Sequence, residues 1–530
     1  MRGLGPKAGR QYSNAAEPAA GKVRRKAGAR DAADPGSALP DIRRRTFSAL
    51  GGVTAIVVID RGSQVVLIAL LARILAPNQI GVVAAAGAVA GLLSMISSFG
   101  VNSWFIQART LSSETRAVGR GTLILLASLM VTLAEVFAPL AGQWFNNPDV
   151  AKVLRLVAPL FLLQPLTLIA EANLMRRLRA RDVVVSDFMA SLVGGGAVTL
   201  PLALAGFGIW AMAVGSVAHG ITRCLIVCLF DGEALRIRIG PRRSLLVLRH
   251  GIGYLLNGLL NLAYADAPKW VVGRYLPASD LGLLSRAVAL VGYPGSMFAA
   301  AVERVVFPAV ALLQDETIRL RQGIIEAIQL IAIVGVPLTV ALILLGDVTI
   351  GGVLGPTWLG AVAPFKILAV ATYFRLADRL NWIILRGVGR PYRLVWLQVG
   401  SLALIAAGCA ITAPMGLSAV AGVIAASAIV TYGVNTYFAM RAVEVGASAW
   451  LGALSQGGAC GVLAGCVLWP LSAGLRQTNA PDLLILGLCA AISAVAAALA
   501  AYLAPKVFLG RGGISALRAF RNRLIPAKAK

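Results

Sequence analysis

Between about residue 48 and residue 505 the chain passes through one long apolar stretch after another, each closed by a few polar residues. A helix needs ~20 apolar residues to cross the hydrocarbon of a bilayer, so with its connections this region has room for about fourteen spans. Residues 48–72 make the first, 151–174 the fourth, 247–274 the seventh, 281–312 the eighth and 361–385 the tenth. A backbone surrounded by lipid must satisfy its own hydrogen bonds, and these runs lack the alternation of a β-barrel, so the spans are helical. The fold class expected is an all-α polytopic membrane protein.

Composition narrows the function classes. Hydrophobic residues make up 58% of the chain and charged ones 14%, against roughly 25% charged in soluble domains. An ordinary soluble enzyme, a disordered scaffold and a collagen-like fibre are excluded. The net charge of +26 would suggest nucleic acid on a soluble domain. Here it sorts by side of the membrane instead, and no nucleic-acid partner is expected.

Every second connection is basic, as the positive-inside rule requires when the N-terminus is cytoplasmic. Inner loops carry Arg109, Arg116 and Arg120, then Arg176, Arg177, Arg179 and Arg181, then Arg236, Arg238, Arg242, Arg243 and Arg249. Outer connections carry Arg73, Lys152, Arg155, Arg274 and Arg476. Both termini are therefore expected on the cytoplasmic side of the membrane. Residues 1–47 lack an apolar segment and read as a disordered basic cytoplasmic tail, with no cleavable signal peptide. Residues 506–530 form a second basic tail, which suits either a frayed basic segment or an amphipathic helix with Ile514, Leu517, Phe520 and Leu524 on one face, lying on anionic membrane lipids.

The turn after the first span, Arg73-Ile74-Leu75-Ala76-Pro77-Asn78-Gln79-Ile80-Gly81, returns after the seventh as Arg274-Tyr275-Leu276-Pro277-Ala278-Ser279-Asp280-Leu281-Gly282. Six helices separate the copies, which indicates two parallel six-helix lobes with a transport path between them. The expected division is 48–245 for the N-terminal lobe, 246–445 for the C-terminal lobe and 446–505 for two additional spans.

Charges placed within spans are the functional candidates, since each costs ~2.5–3.5 kcal/mol at mid-bilayer on insertion scales. Arg61 lies in the first span beside Asp60, Arg286 and the Glu303-Arg304 pair in the eighth, and Arg375, Asp378 and Arg379 in the tenth. Arg61 and Arg286 have no same-face acid one turn away. Arg61, Arg286, Arg375, Arg379 and Arg304 form the expected cationic, substrate-binding cavity, and guanidinium forks suit phosphate. Asp266 and Lys269, three apart on one face, are candidates for ion or proton coupling, with Asp378 and Glu135. They equally suit simple mutual neutralisation.

No P-loop, no His-Glu-x-x-His and no large external loop occur, so the expectation is a transporter, not an enzyme, with no catalytic residue, metal or cofactor. The six cysteines lie in apolar runs; Cys224 and Cys228 read as packing residues, as does His219, while His250 falls in a basic inner loop.

Several segments then carry a family resemblance. Leu71-Ala72-Arg73-Ile74-Leu75-Ala76-Pro77 through Gly81, Gly206-Phe207-Gly208-Ile209-Trp210-Ala211, Leu281-Gly282-Leu283-Leu284-Ser285-Arg286-Ala287 and Arg304-Val305-Val306-Phe307-Pro308-Ala309 resemble segments of bacterial polysaccharide flippases. These belong to the multidrug/oligosaccharidyl-lipid/polysaccharide exporter superfamily, and the resemblance spans about residues 48–440. It implies two six-helix lobes with alternating access, moving an undecaprenyl-diphosphate-linked oligosaccharide for exopolysaccharide or O-antigen synthesis. Partners implied are that lipid-linked oligosaccharide and the polymerase and glycosyltransferase machinery. The chain departs from the pattern in its long basic N-terminal tail and in Leu284, where the pattern has Tyr. Two alternatives stay open: a peptidoglycan lipid II flippase of the same superfamily, and a membrane-embedded polysaccharide polymerase or ligase.

Overall fold

The computed structural model describes residues 56–508, apart from 58, 109–110, 233–235, 313–316, 388–390 and 479. The side chains of 107, 296–320, 387–394 and 506–507 fall outside that description. All regular structure among the described residues is helical. The first half comprises α1 (59–74), α2 (Pro77–Ser98), the short α3 (Val101–Gln107), α4 (Ser113–Trp144), α5 (Pro148–Val157), α6 (Gln164–Arg176), α7 (Ala180–Ser191) and α8 (Ile209–Asp231). The second comprises α9 (Pro241–Tyr275), α10 (Ala278–Leu312), α11 (Thr317–Leu344), α12 (Val362–Val370), α13 (Thr372–Gly387), α14 (Pro391–Thr412) and α15 (Leu417–Val443). Two more helices follow, α16 (Ala447–Gln477) and α17 (Asp482–Leu503). The expected features of residues 1–47 and of the Ile514–Leu524 face lie outside the described residues.

Ten helices are long and apolar enough to cross a membrane, and twelve if two bent pairs each count as one span. The expected count of fourteen is therefore not reached among the described residues. The bent pairs are the expected fourth and tenth spans: Pro148–Leu162 meets Gln164–Arg176 at 47°, and Pro356–Val370 meets Thr372–Arg386 at 41°. Each break has a local cause. At the first, Pro165 cannot donate a backbone hydrogen bond and tightens the preceding turn. At the second, the freed Tyr373 N–H donates to Thr339 Oγ1 of α11 at 3.1 Å. A neighbouring hydroxyl thus supplies what the helix cannot, the condition for tolerating a break within lipid.

Small residues bring the helices together while Leu, Ile and Val point outward; Leu229 is 79% exposed. Between apolar helices in lipid, close backbone approach replaces the hydrophobic drive. Gly457 and Gly461 of α16, four apart, sit against Ala332 and Val336 of α11, where a Cβ would collide. This contact fastens the two additional helices to the rest.

The two repeated turns meet. A Cβ on Gly81 would strike the Ala278 carbonyl oxygen, and a Cβ on Gly282 would strike that of Pro77. Each glycine packs on the residue four before the other, the reciprocity a repeat of identical spacing produces. Around this crossing Trp358 Nε1, fully buried, donates to Ala72 O at 2.7 Å. Arg73 Nη2 donates to Gly352 O at 2.5 Å. Asn146 Nδ2 donates to Arg274 O at 3.2 Å, and the Arg274 guanidinium stands 5.5 Å over the Trp144 ring.

The opposite end is held by a buried ionic network. Arg120, read from the sequence as a loop residue, is 1% exposed, and its Nη2 lies 3.4 Å from Asp231 Oδ2. Asn173 Nδ2 donates to the same carboxylate at 3.0 Å, joining α4, α6 and α8.

Candidate functional site

A cavity of about 350 Å³ opens between α1, α7, α8 and α10. Its polar lining is Gln64, Ser191, Thr199, Ser216, His219 and Arg286; Leu67, Ile68, Leu71 and Met212 complete its walls. One wall comes from a π-helical turn, Leu192–Thr199, that continues α7. Such turns widen a helix and recur at functional sites. Gly194 makes this one possible: a Cβ there would collide with His219 and the Gly215 carbonyl of α8. Thr199 Oγ1 donates back to Gly194 O at 2.6 Å, closing the widened turn.

Arg286 is buried, and its Nε has no hydrogen-bond partner. No carboxylate lies within ion-pairing distance of it among the described residues. A polar group in that state carries its full desolvation cost. Tyr293, two turns along α10, lies within electrostatic reach of Arg286, Arg61 and Asp60. The structure therefore brings Arg61 and Arg286 into one neighbourhood.

Arg61 is exposed, and its Nη1 donates to Gln64 Oε1 at 3.2 Å. Gln64 Nε2 in turn donates to Asp60 Oδ2 at 3.0 Å, so Gln64 stands between the two neighbouring charges. Asp60 is buried and its Oδ1 has no partner. Arg61, Arg286 and Asp60 by themselves sum to one positive charge; the Arg223, Asp187 and Glu171 cluster beyond His219 adds one positive and two negative charges.

The other candidates divide. Lys269 Nζ donates to Asp266 Oδ1 at 2.7 Å, so these two neutralise each other; Asp266 is buried against Gly91 of α2. Asp378 accepts from Asn435 Nδ2 at 2.9 Å, Asn381 Nδ2 at 3.3 Å and Trp382 Nε1 at 3.2 Å, three neutral donors. It does not pair with Arg375, which is half-buried within electrostatic reach of Tyr264 of α9. Arg379 is exposed. Neither arginine lines the cavity that contains Arg286. Glu135 is half-exposed and lies 3.4 Å from Arg155 Nε of α5. Glu303 and Arg304 belong to α10, but their side chains lie outside the description.

One cluster escaped the sequence reading. Arg223 Nε of α8 donates to Asp187 Oδ1 of α7 at 2.5 Å, and its Nη2 lies 3.2 Å from Glu171 Oε2 of α6. Arg223 stands one turn beyond His219, a cavity-lining residue rather than simple packing. Each member is a lone charge within an expected span, the same signal that singled out Arg286. The pairing itself spans 36 and 52 residues of sequence.

The chain matches the family described as "Polysaccharide biosynthesis protein" over residues 70–363. It is similar to the succinoglycan biosynthesis transport protein ExoT of Rhizobium meliloti, 27% identical over 336 residues, covering 63% of this chain and 68% of that protein. It is also similar to the lipopolysaccharide biosynthesis protein WzxC of Escherichia coli, 23% identical over 367 residues, covering 66% and 69%. In fold it is similar to the lipid II flippase MurJ in its inward closed conformation, at a TM-score of 0.65 and 11% identity, over 85% of this chain and 98% of that one. With a family match over more than half its length, and a multi-pass helical fold similar to that of MurJ, this chain belongs to the family described as "Polysaccharide biosynthesis protein".

Proposed function

We propose that the chain carries an undecaprenyl-diphosphate-linked oligosaccharide repeat unit from the cytoplasmic to the periplasmic leaflet of a bacterial inner membrane. Both termini are cytoplasmic in this reading. Two lobes, residues 48–245 and 246–445, alternate access to a cationic site between them, and residues 446–505 flank that motion. The observation that carries the reading is the buried, unpaired Arg286 guanidinium facing a cavity of about 350 Å³. Its planar fork matches a phosphate oxygen pair, and hydroxyl and amide groups beside it suit a sugar. The relatives that transport or build surface polysaccharides support the same cargo class.

No covalent chemistry is needed. Arg286 holds the diphosphate, Arg61 at the exposed end of the cluster draws it in, and the Gly81–Gly282 crossing closes one end. Replacing Arg286 with Ala in the producing bacterium is expected to abolish surface polysaccharide while the protein still inserts in the membrane. Unchanged surface polysaccharide in that strain would overturn the assignment.

A further inference from the structure

The end of the bundle away from the Gly81–Gly282 crossing is rich in arginine, and hydrogen bonds and ion pairs join it into one surface. Arg179 Nη1 donates to Phe230 O at 3.3 Å, tying the α6–α7 turn to the end of α8. Arg120 Nη1 donates to Arg236 O at 3.0 Å, and Arg238 N to Ala117 O at 3.0 Å, which lays residues 236–240 along α4. Arg243 pairs with Glu114, bringing the first turn of α9 beside the first turn of α4.

The carboxylates described there are already engaged: Asp231 by Arg120, Asp182 by Arg179 and Glu114 by Arg243. Arg181, Arg236, Arg238, Arg242 and Arg249 are exposed, and none has an ion pair among the described residues. Large apolar side chains stand exposed between them: Leu178 at 92%, Ile239 at 69% and Leu245 at 68%. Water alone suits neither half of this pattern. Clustered cations repel one another, and large apolar side chains set in water among them cost free energy. A layer of phosphates above acyl chains suits both. The level fits as well, since α4, α8 and α9, which rise from this surface, are long and apolar enough to cross a bilayer.

We propose that this face is a docking surface for the anionic phospholipids of the leaflet it meets. The unpaired arginines fork the headgroup phosphates, and Leu178, Ile239 and Leu245 insert beneath them. The inference goes beyond transport and does not rest on the cargo. An acidic protein partner is the rival occupant; apolar side chains at the level where spans begin favour lipid.

The test is native mass spectrometry of the purified full chain offered dioleoylphosphatidylglycerol or dioleoylphosphatidylcholine. The wild type is expected to retain phosphatidylglycerol preferentially, with retention falling as salt rises. R242Q/R249Q should bind phosphatidylglycerol about tenfold more weakly. L178Q/L245Q, which keeps every charge, should also bind less, and guards against a misfolded arginine variant. Equal retention of the two lipids, or wild-type phosphatidylglycerol retention by both variants, would overturn the proposal. Failure of the wild-type protein to move a lipid-linked sugar between leaflets, with its phosphatidylglycerol preference intact, would count against the cargo reading alone.

Discussion

At the scale of single residues, the contrast lies between charges the protein pairs and charges it leaves open. Asp231 is buried and shared by Arg120 and Asn173. Removing one partner of a buried ion pair strands the other, typically at ~3–5 kcal/mol. Asp231→Ala is therefore expected to lower the thermal midpoint of the detergent-purified protein markedly, whereas Asp231→Asn, which keeps a hydrogen-bond acceptor, should lower it less. Equal midpoints for wild type and Asp231→Ala would contradict the network. Trp358→Phe leaves the Ala72 carbonyl without its 2.7 Å donor, so a smaller loss of ~1–3 kcal/mol is expected in the same melt. Arg286 differs in kind, having no internal partner to lose. The sequence singles out Arg61 and Arg286 because neither has an acid one turn away. It places Arg120 in a loop, because the partner that buries it lies 111 residues on. Local spacing reveals lone charges but not pairings across helices, which is why the Glu171–Asp187–Arg223 cluster was not legible.

At the scale of elements, helix ends and breaks set the geometry. The repeat of the Arg73–Gly81 turn at Arg274–Gly282 is visible in the sequence, and in the structure the two turns pack on each other through their glycines. Gly81→Leu or Gly282→Leu should force α2 and α10 apart, at about 1–3 kcal/mol each. Because both side chains would enter one contact, the double variant should cost less than the sum. Additive shifts in the thermal midpoint would show that the two glycines act separately. The bent spans were not legible. A continuous apolar run predicts a straight helix, and the break near Tyr373 persists because Thr339, on another helix, accepts its N–H. The π-helical turn of α7 has the same origin, since its value lies in the approach of Gly194 to His219.

At the scale of the whole molecule, apolar runs and the sidedness of arginine made the class legible, and the family match and helical fold agree with it. The cavity was less legible: the sequence named five arginines for it, and of the four whose side chains are described Arg286 lines it. The central claim is that an anionic lipid-linked sugar fills the place opposite that guanidinium and crosses without chemical change. The direct measurement is leaflet transfer in proteoliposomes, using a fluorescent undecaprenyl-diphosphate oligosaccharide and comparing wild type with R286A and R286K. The wild type should move the lipid and leave its saccharide length unchanged. R286A should slow transfer at least about tenfold, as expected for a lost charge-assisted hydrogen bond of ~1.5–3 kcal/mol, and R286K should fall between. Transfer by R286A at the wild-type rate, or a lengthened saccharide with no transfer, would contradict the account.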